Sequence, residues 1–517
     1  MTITTPPLSA RRRWAGLAVL SVSVLLVVMD MTVLNVALPA MSEDLRPSSI
    51  ELLWIVDAYG LVLAGLLVTV SALGDRWGRK RMLLTGFAVF GLASLAVLLA
   101  DDPAEVIAVR ALLGVGGAMI MPSTLSMIRN LFPDPGERAR ALGVWSAMAA
   151  VGAASGPILA GVLLERFTWP AAFLVNVPVM AAAIGAGLVL LPESRNPGPG
   201  RWDAPATVLS MAGMVALLYA VKSFGKYGPA AASTLVATAV AAVTLGWFVV
   251  RCLRRPDPLL ELRLFRSGPF SAGVATALAT AIAMGAVLLL LAQWIQLVRG
   301  YSPLETGVRL LPAALAALVA SPLAPSLAAR IGARTVLAGG LGVTAAGFLL
   351  LFLAPAPLDY GPVAGALVLI GIGNGALAVA SAVIMSGTPA AKSGSAAAIE
   401  ETSYDLGGAL GVAVLGSVAA AVYRGGLDYE GPAAGIARES LGGAIDVAAE
   451  LGVQGARLGA EGLRLSAEGA RLAEQATTAF TGSLTVTSGA GAAVMLAGAA
   501  LVWWLTPRDL DLSAADH

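Results

Sequence analysis

Apolar runs of about 20 residues, the length a helix needs to cross a bilayer, recur fourteen times along this chain. They cover residues 14–38, 50–73, 82–100, 105–128, 141–164, 169–191, 205–222, 231–250, 269–293, 305–328, 335–354, 361–386, 396–422 and 482–506. The pattern predicts an all-α protein with fourteen membrane helices, numbered here as spans 1 to 14. The first run follows Arg11-Arg12-Arg13, extends well past 20 residues and has no small-residue cleavage site. It therefore reads as a span and not as a signal peptide. One connection breaks the rhythm of short loops. Residues 424–481, between spans 13 and 14, hold a heptad-like repeat at Gly455-Ala-Arg-Leu, Gly462-Leu-Arg-Leu and Gly469-Ala-Arg-Leu, with Glu461 and Glu468 also seven apart. This favours an amphipathic helix, weakened by its glycines. A solvated helical hairpin on the outer face is expected, and a cap or gate over an external exit is the alternative.

Composition agrees with the pattern. The chain has 517 residues, is 57% hydrophobic and 13% charged, where a soluble protein carries about a quarter charged residues; its mean hydropathy is +0.82. The net charge of +1 says nothing about nucleic acid, but no basic patch interleaved with aromatics appears, so no nucleic-acid partner is expected. The single cysteine, Cys252, excludes an internal disulfide framework and any cysteine-based metal cluster. No metal site is expected. The only histidine is His517, the last residue, so carboxylates must carry any proton that moves inside the membrane. Scarce lysine with abundant alanine and glycine hints at a high-GC bacterial source.

Basic residues set the orientation. With the N-terminus inside, 21 of them fall on the cytoplasmic side, among them Arg11–Arg13, Arg76, Arg79, Lys80, Arg81, Arg129, Arg138 and Arg140. Only five, Arg46, Arg166, Lys222, Lys226 and Arg299, fall in short external loops. Both termini, residues 1–13 and 507–517, are expected in the cytoplasm, with the chain in the bacterial cytoplasmic membrane. An internal echo divides the rest. Leu73-Gly-Asp-Arg-Trp-Gly-Arg-Lys, after span 2, returns as Leu327-Ala-Ala-Arg-Ile-Gly-Ala-Arg, after span 10. Like-oriented repeats of this kind mark parallel-repeat transporters. They divide the chain into two six-helix bundles, 14–191 and 269–506, around an inserted pair at 205–250.

Span 13 carries the most costly residues. Its opening, AAAIEETSYDLGGALGVAVLG (396–416), puts Glu400, Glu401 and Asp405 in an apolar helix. Ionisable residues in a span usually face a cavity or a partner and mark function. At 100° per residue Glu401 and Asp405 stack on one face, with Asp405 near mid-membrane, while Glu400 points about a quarter-turn away. Asp30 in span 1 and Asp57 in span 2 fall at similar depth in the outer half; Asp57 could equally be an interfacial acid. Arg110 in span 4 cannot lose its charge and needs a carboxylate, carbonyl or water partner, unless it snorkels to the interface. Gly152, Gly156, Pro157 and Gly161 give span 5 a small-residue face and a kink. In the tight loop Ser71-Ala-Leu-Gly-Asp-Arg-Trp-Gly-Arg-Lys, Asp75 can pair with a basic group such as Arg138 or Arg140 of the next cytoplasmic loop.

That loop resembles the signature loop of the major facilitator superfamily, with Ser71 in place of the leading glycine. The resemblance implies a conformational latch at Asp75, Arg76, Gly78, Arg79, Lys80, Arg138 and Arg140. Arg110 with Gly114 and Gly116 is similar to the family's fourth-helix motif, with Leu113 where glutamine is common. Gly152 to Gly161 resembles its antiporter motif, with Ala160 for the penultimate glycine, which favours export. LLWIVDAYGLVLAG (52–65), MPSTLSMIR (121–129), GPILAGVLLERFTW (156–169), FLVNVP (173–178) and EETSYDLG (400–407) look like the fourteen-helix drug:proton antiporters, in particular the quaternary-ammonium and methyl viologen exporters. The resemblance implies proton coupling and cation binding at Asp30, Glu401 and Asp405, less directly at Glu400 and Asp57, and a part in proton coupling for Arg110. Span 10 lacks the further acid of some relatives, which puts dication transport in question.

The expected activity is proton-coupled efflux of lipophilic cations such as quaternary ammonium compounds, dyes and biocides. It needs no cofactor beyond the proton motive force, and no phosphate-binding loop is present to use ATP. Trp54, Tyr59, Trp145, Phe173, Trp294 and Tyr404 are candidate cation–π contacts. The chain is expected to work as a monomer. Two rivals remain: a dedicated exporter of one antibiotic or metabolite, separable by competition among unrelated cations, and a non-transporting receptor, which would show no substrate-dependent proton flux. No nucleophile–base pair or metal cluster suggests an enzyme.

Overall fold

The computed structural model describes residues 9–47, 49–195, 203–389, 392–457, 463–508 and 510. Glu461, Gly462 and His517 lie outside them. Fourteen helices in the described residues are long and apolar enough to cross a membrane. The first bundle comprises α1 (Ala10–Leu45), α2 (Ser49–Trp77), α3 (Arg79–Ala96), α4 (Pro103–Leu131), α5 (Pro135–Leu164) and, after the single turn α6 (Ala171–Leu174), α7 (Asn176–Leu190). The inserted pair is α8 (Ala204–Tyr227) and α9 (Ala232–Arg254). The second bundle begins with α10 (Gly268–Gln293), α11 (Pro303–Ile331) and α12 (Ala333–Phe352). Span 12 is α13 (Tyr360–Gly373) and α14 (Gly375–Ser386), joined through Asn374, which keeps helical backbone angles. Span 13 is α15 (Ser393–Leu410) and α16 (Gly416–Gly426), joined by one π-helical turn, Gly411–Leu415.

Membrane helices gain little from apolar burial against one another, because lipid is as apolar as leucine; close packing of small residues holds them instead. The apolar interior divides into two main clusters, the first of which runs on from the first bundle into the second through Phe270, Ile384, Met385 and Ile399. That cluster is built around Leu20, Phe87, Phe90 and Leu125, the other around Leu291, Leu337, Phe348 and Leu367. The bundles meet along two seams, α5 against α11 and α2 against α15. The internal echo has a backbone counterpart. Gly78 (φ +113°) and Gly332 (φ +88°) both occupy left-handed conformations at the turn after the second helix of their bundles, where glycine alone is unstrained.

The inserted pair covers a seam. α8 lies on α2 and also touches α15, and Leu218 closes over Leu61 and Ala64. Lys222 of α8 ion-pairs with Asp57 of α2. At the other end of the pair, Asp203 caps α8 through the Ala206 amide and receives Arg251 and Arg255. Burial works to raise the Asp203 carboxyl, but the hydrogen bonds from the two arginines outweigh it and hold it down at about 2. Asp203→Ala should therefore lower stability by about 1–3 kcal/mol, the range for a lost cap plus partly exposed ion pairs. A group with a depressed folded pKa contributes above its ordinary value of 3.8 and stops contributing as pH falls through about 2. The difference between variant and wild-type melting temperatures should be complete at neutral pH and shrink across that window. A constant difference at all pH values would remove the ion pairs as its cause.

The long connection forms α17 (Ala434–Glu439), α18 (Leu441–Arg457) and the start of α19 (Leu463–Leu505). At 1.5 Å per residue α19 is about 64 Å long, roughly twice the hydrocarbon thickness, so its first third stands clear of the membrane. α18 packs along that part. Gly469, a weakness in an isolated helix, is what admits it: a Cβ there would sit 2.6 Å from the Ala448 carbonyl oxygen. Tyr423 and Phe480 carry the second core up into this hairpin. The hairpin is thus an extension of the second bundle.

Candidate functional site

Two buried charged clusters face one another across the α2–α15 seam. In the first bundle, Asp30 of α1 is fully buried and paired with Arg110 of α4, Oδ2 to Nη1, at 2.8 Å. Arg110 also donates from Nε to the Ile55 carbonyl (3.2 Å) and stacks over the Tyr59 ring at 4.6 Å. The second oxygen of Asp30 accepts from Asn176 Nδ2 at 3.0 Å, and the same amide nitrogen reaches Ser94 Oγ at 3.2 Å. One carboxylate thereby joins α1, α2, α3, α4 and α7. Arg110 does not snorkel. Asn176 escaped sequence reasoning because a lone asparagine in FLVNVP carries no charge; its distance from Asp30 in the chain hides the contact.

The second cluster lies on α15, and its chemistry is the opposite. Glu400 and Glu401 are both buried. Glu400 faces α14, where the Ser381 hydroxyl donates to Oε1 while Oε2 has no partner. Asp405 Oδ2 is likewise buried without a partner. No cationic side chain pairs with any of the three among the described residues. Tyr59 bridges the clusters: its hydroxyl donates to the Val27 carbonyl at 3.3 Å, and it feels the charges of both Asp30 and Asp405. Tyr404 stands beside Glu401 and Asp405.

The remaining sequence candidates separate. Asp57 is outside this group, engaged by Lys222. Trp54 lines a membrane-facing groove of about 540 Å³ with Tyr219 and the inserted pair. Trp145 donates to Thr124, Phe173 packs edge-on against Trp169, and Trp294 donates to Thr481 beneath Arg299. Those three are packing residues within their own bundles, and only Tyr59 and Tyr404 stand beside the acids. Among the described residues no three His, Cys, Asp or Glu side chains are arranged to hold a metal.

The motifs frame the clusters. A Cβ on Gly156 would collide with Thr32 and come within 2.9 Å of the Met29 carbonyl, next to Asp30. Gly152 lies as close to Leu25 of the same helix. Gly161 meets Leu304 of α11 across the other seam. Pro157 lines a small cavity there with Met284 and Asn374. In the loop after α2, Asp75 pairs with Arg79 of its own segment at 2.7 Å, so the partner is local and not Arg138 or Arg140. Arg138 is buried and donates to the Pro133 carbonyl, while Arg140 is exposed. The Asp75 carboxylate rests against Gly394 at the start of α15, and Ser71 donates to the Gly394 carbonyl at 2.7 Å. A carboxylate at a helix N-terminus is favoured by the helix dipole. This contact joins the bundles at the end of α2 and the start of α15. Lys80 fastens the loop to Leu188 and Glu193, and Arg76, half-buried, lies within it.

Two helical bundles with charged groups at their common seam, a glycine-rich contact beside the first carboxylate and a polar contact between the bundles on one face give the architecture of a multi-pass membrane transporter. The chain belongs to the Major Facilitator Superfamily, whose family profile matches residues 20–412. It is 42% identical over 447 residues to the multidrug efflux pump LfrA of Mycolicibacterium smegmatis, covering 85% of this chain and 88% of that one. It is 35% identical over 449 residues to the methyl viologen resistance protein SmvA of Salmonella typhimurium, covering 85% and 90%. A tetracenomycin C resistance and export protein of Streptomyces glaucescens is 35% identical over 415 residues, covering 80% and 77%. The crystal structure of the human organic anion transporter MFSD10 shares the fold, with a TM-score of 0.61 at 14% identity over 96% of this chain and all of that one.

Proposed function

We propose that this protein is an efflux transporter that exports lipophilic cations in exchange for protons. One observation carries the reading: Glu401 and Asp405 lie at the seam, with Glu400 turned toward α14, and among the described residues no cationic side chain compensates the three. Burying uncompensated carboxylates is costly, and either a proton or a cationic substrate relieves that cost. The two then compete for one site, and competition is a coupling free energy that acts equally in both directions. Asp30 is already neutralised by Arg110 and serves as the first bundle's switch. Substrate enters from the cytoplasm or inner leaflet, with both termini cytoplasmic, and external protons discharge it. The chain works as a monomer and needs no bound cofactor. The multidrug and methyl viologen relatives support this substrate class.

The relative named for tetracenomycin C favours a narrower second reading, a dedicated exporter of one compound. The test for both is ethidium transport in everted vesicles with an imposed pH gradient. Transport should depend on the gradient, collapse with a protonophore and be inhibited by unrelated lipophilic cations. Transport that ignores the gradient removes proton coupling, and inhibition by a single compound alone selects the dedicated exporter.

A further inference from the structure

The α5–α11 seam contains a cavity that the charged clusters do not reach. Its volume is about 30 Å³, and its walls come from both bundles: Ala154 and Pro157 of α5, Met284 of α10, Leu310 of α11, and Gly371 with Asn374 of span 12. The lining is apolar except for one group. Asn374 is only 7% exposed, its Oδ1 is buried without a hydrogen-bond partner, and its Nδ2 has none among the described residues. Nearly all buried polar groups are hydrogen-bonded, so a bare buried amide needs an explanation.

Its position between the bundles points to a ligand. Asn374 sits between α13 and α14 with helical backbone angles, its N–H still donating to the Ile370 carbonyl, and is flanked by Gly373 and Gly375. Opposite, Pro157 interrupts the hydrogen bonding of α5. The cavity lies between the two halves, where transporters place their binding sites. Span 12 would pack better against Met284 and Leu310 with an apolar residue here. The amide makes sense only if something polar comes to it. One water fits a cavity of this size, and a larger guest fits once the bundles part.

We propose that Asn374 is the hydrogen-bonding contact of a polar subsite in the substrate path, taking lipophilic cations that carry an amino, amide or hydroxyl group. The assignment rests on the cation-efflux reading. The acids of α15 receive the charge, and Asn374 reads the polar substituent. A site built to hydrogen-bond a substrate group discriminates against analogues that lack it, because its own polar atoms are then left bare. Substrates with no such group gain nothing from Asn374.

Two probes separate these cases: ethidium, which carries two aromatic amino groups, and tetraphenylphosphonium, which carries no hydrogen-bonding group. Reconstituted full-length protein is compared with Asn374→Leu, close in volume but apolar, and Asn374→Ser, which keeps a hydroxyl. Asn374→Leu should raise KM for ethidium about tenfold, the effect of one buried hydrogen bond, and leave that for tetraphenylphosphonium within about twofold. Asn374→Ser should fall between. Intact tetraphenylphosphonium transport certifies that the variant is folded. If Asn374→Leu weakens both probes alike, or neither, the subsite assignment is overturned while the efflux reading stands. If the wild type moves neither cation against a pH gradient, the efflux reading itself fails and the assignment falls with it.

Discussion

Asp30→Asn is expected to abolish gradient-driven efflux and to lower stability by about 3–5 kcal/mol, the cost of leaving one member of a buried ion pair alone. Both members are buried, Asp30 at 1% and Arg110 at 2% exposure. Arg110 cannot shed its charge, and its other contacts, the Ile55 carbonyl and the Tyr59 ring, do not supply a negative one. A single substitution therefore mixes a structural and a functional loss. The double variant Asp30→Asn, Arg110→Gln separates them, since it removes both charges and keeps polar groups for Asn176 and Ile55. Its melting temperature should return most of the way to wild type while transport stays down by on the order of 100-fold. If the double variant also recovers transport, Asp30 is scaffolding and the proton-coupling role assigned to it is wrong. If the single variant melts with the wild type, the pair does not hold the first bundle together.

The fourteen spans were legible because a hydrophobic stretch of bilayer length is a strong one-dimensional signal, and the repeat of Gly78 at Gly332 revealed the duplication. Three kinds of fact were not legible. Pairing was one: Asp75 had several arginines within reach on paper, and local loop geometry chose Arg79. Neutral partners were another, since Asn176, Ser94 and Ser381 carry no charge to advertise them, yet they decide how Asp30 and Glu400 are satisfied. The third was direction. Trp145, Phe173 and Trp294 are apolar enough for a cation cage, but each turns into its own bundle, where a neighbouring group satisfies it. Helical phase did sort the acids of span 13. Glu400 turns away from Glu401 and Asp405, and the side it turns to is α14, where Ser381 meets it.

Asp405→Asn should separate stability from activity in the opposite sense to Asp30→Asn. Among the described residues Asp405 holds no ion pair, and its Oδ2 is buried without a partner. Exchanging the carboxyl for an amide of the same shape removes no native contact and lifts the cost of an uncompensated buried acid. The variant should be at least as stable as wild type, with a gain of up to about 1 kcal/mol, as is common where a residue is kept for function at the expense of packing. Gradient-driven ethidium efflux should nevertheless fall by on the order of 100-fold, because the helix can no longer alternate between a proton and a cation at that position. Glu401→Gln should behave in the same way, since it stands one turn away on the same face of α15. Glu400→Gln should lose less transport, because the Ser381 hydroxyl can still donate to the amide oxygen. Calorimetry of the purified variants gives the first half of each result, and pH-jump efflux in proteoliposomes gives the second. An Asp405→Asn protein that melts well below wild type would mean the acid is a structural partner whose contact forms in the membrane. One that exports ethidium at the wild-type rate would move the exchange site off α15 altogether.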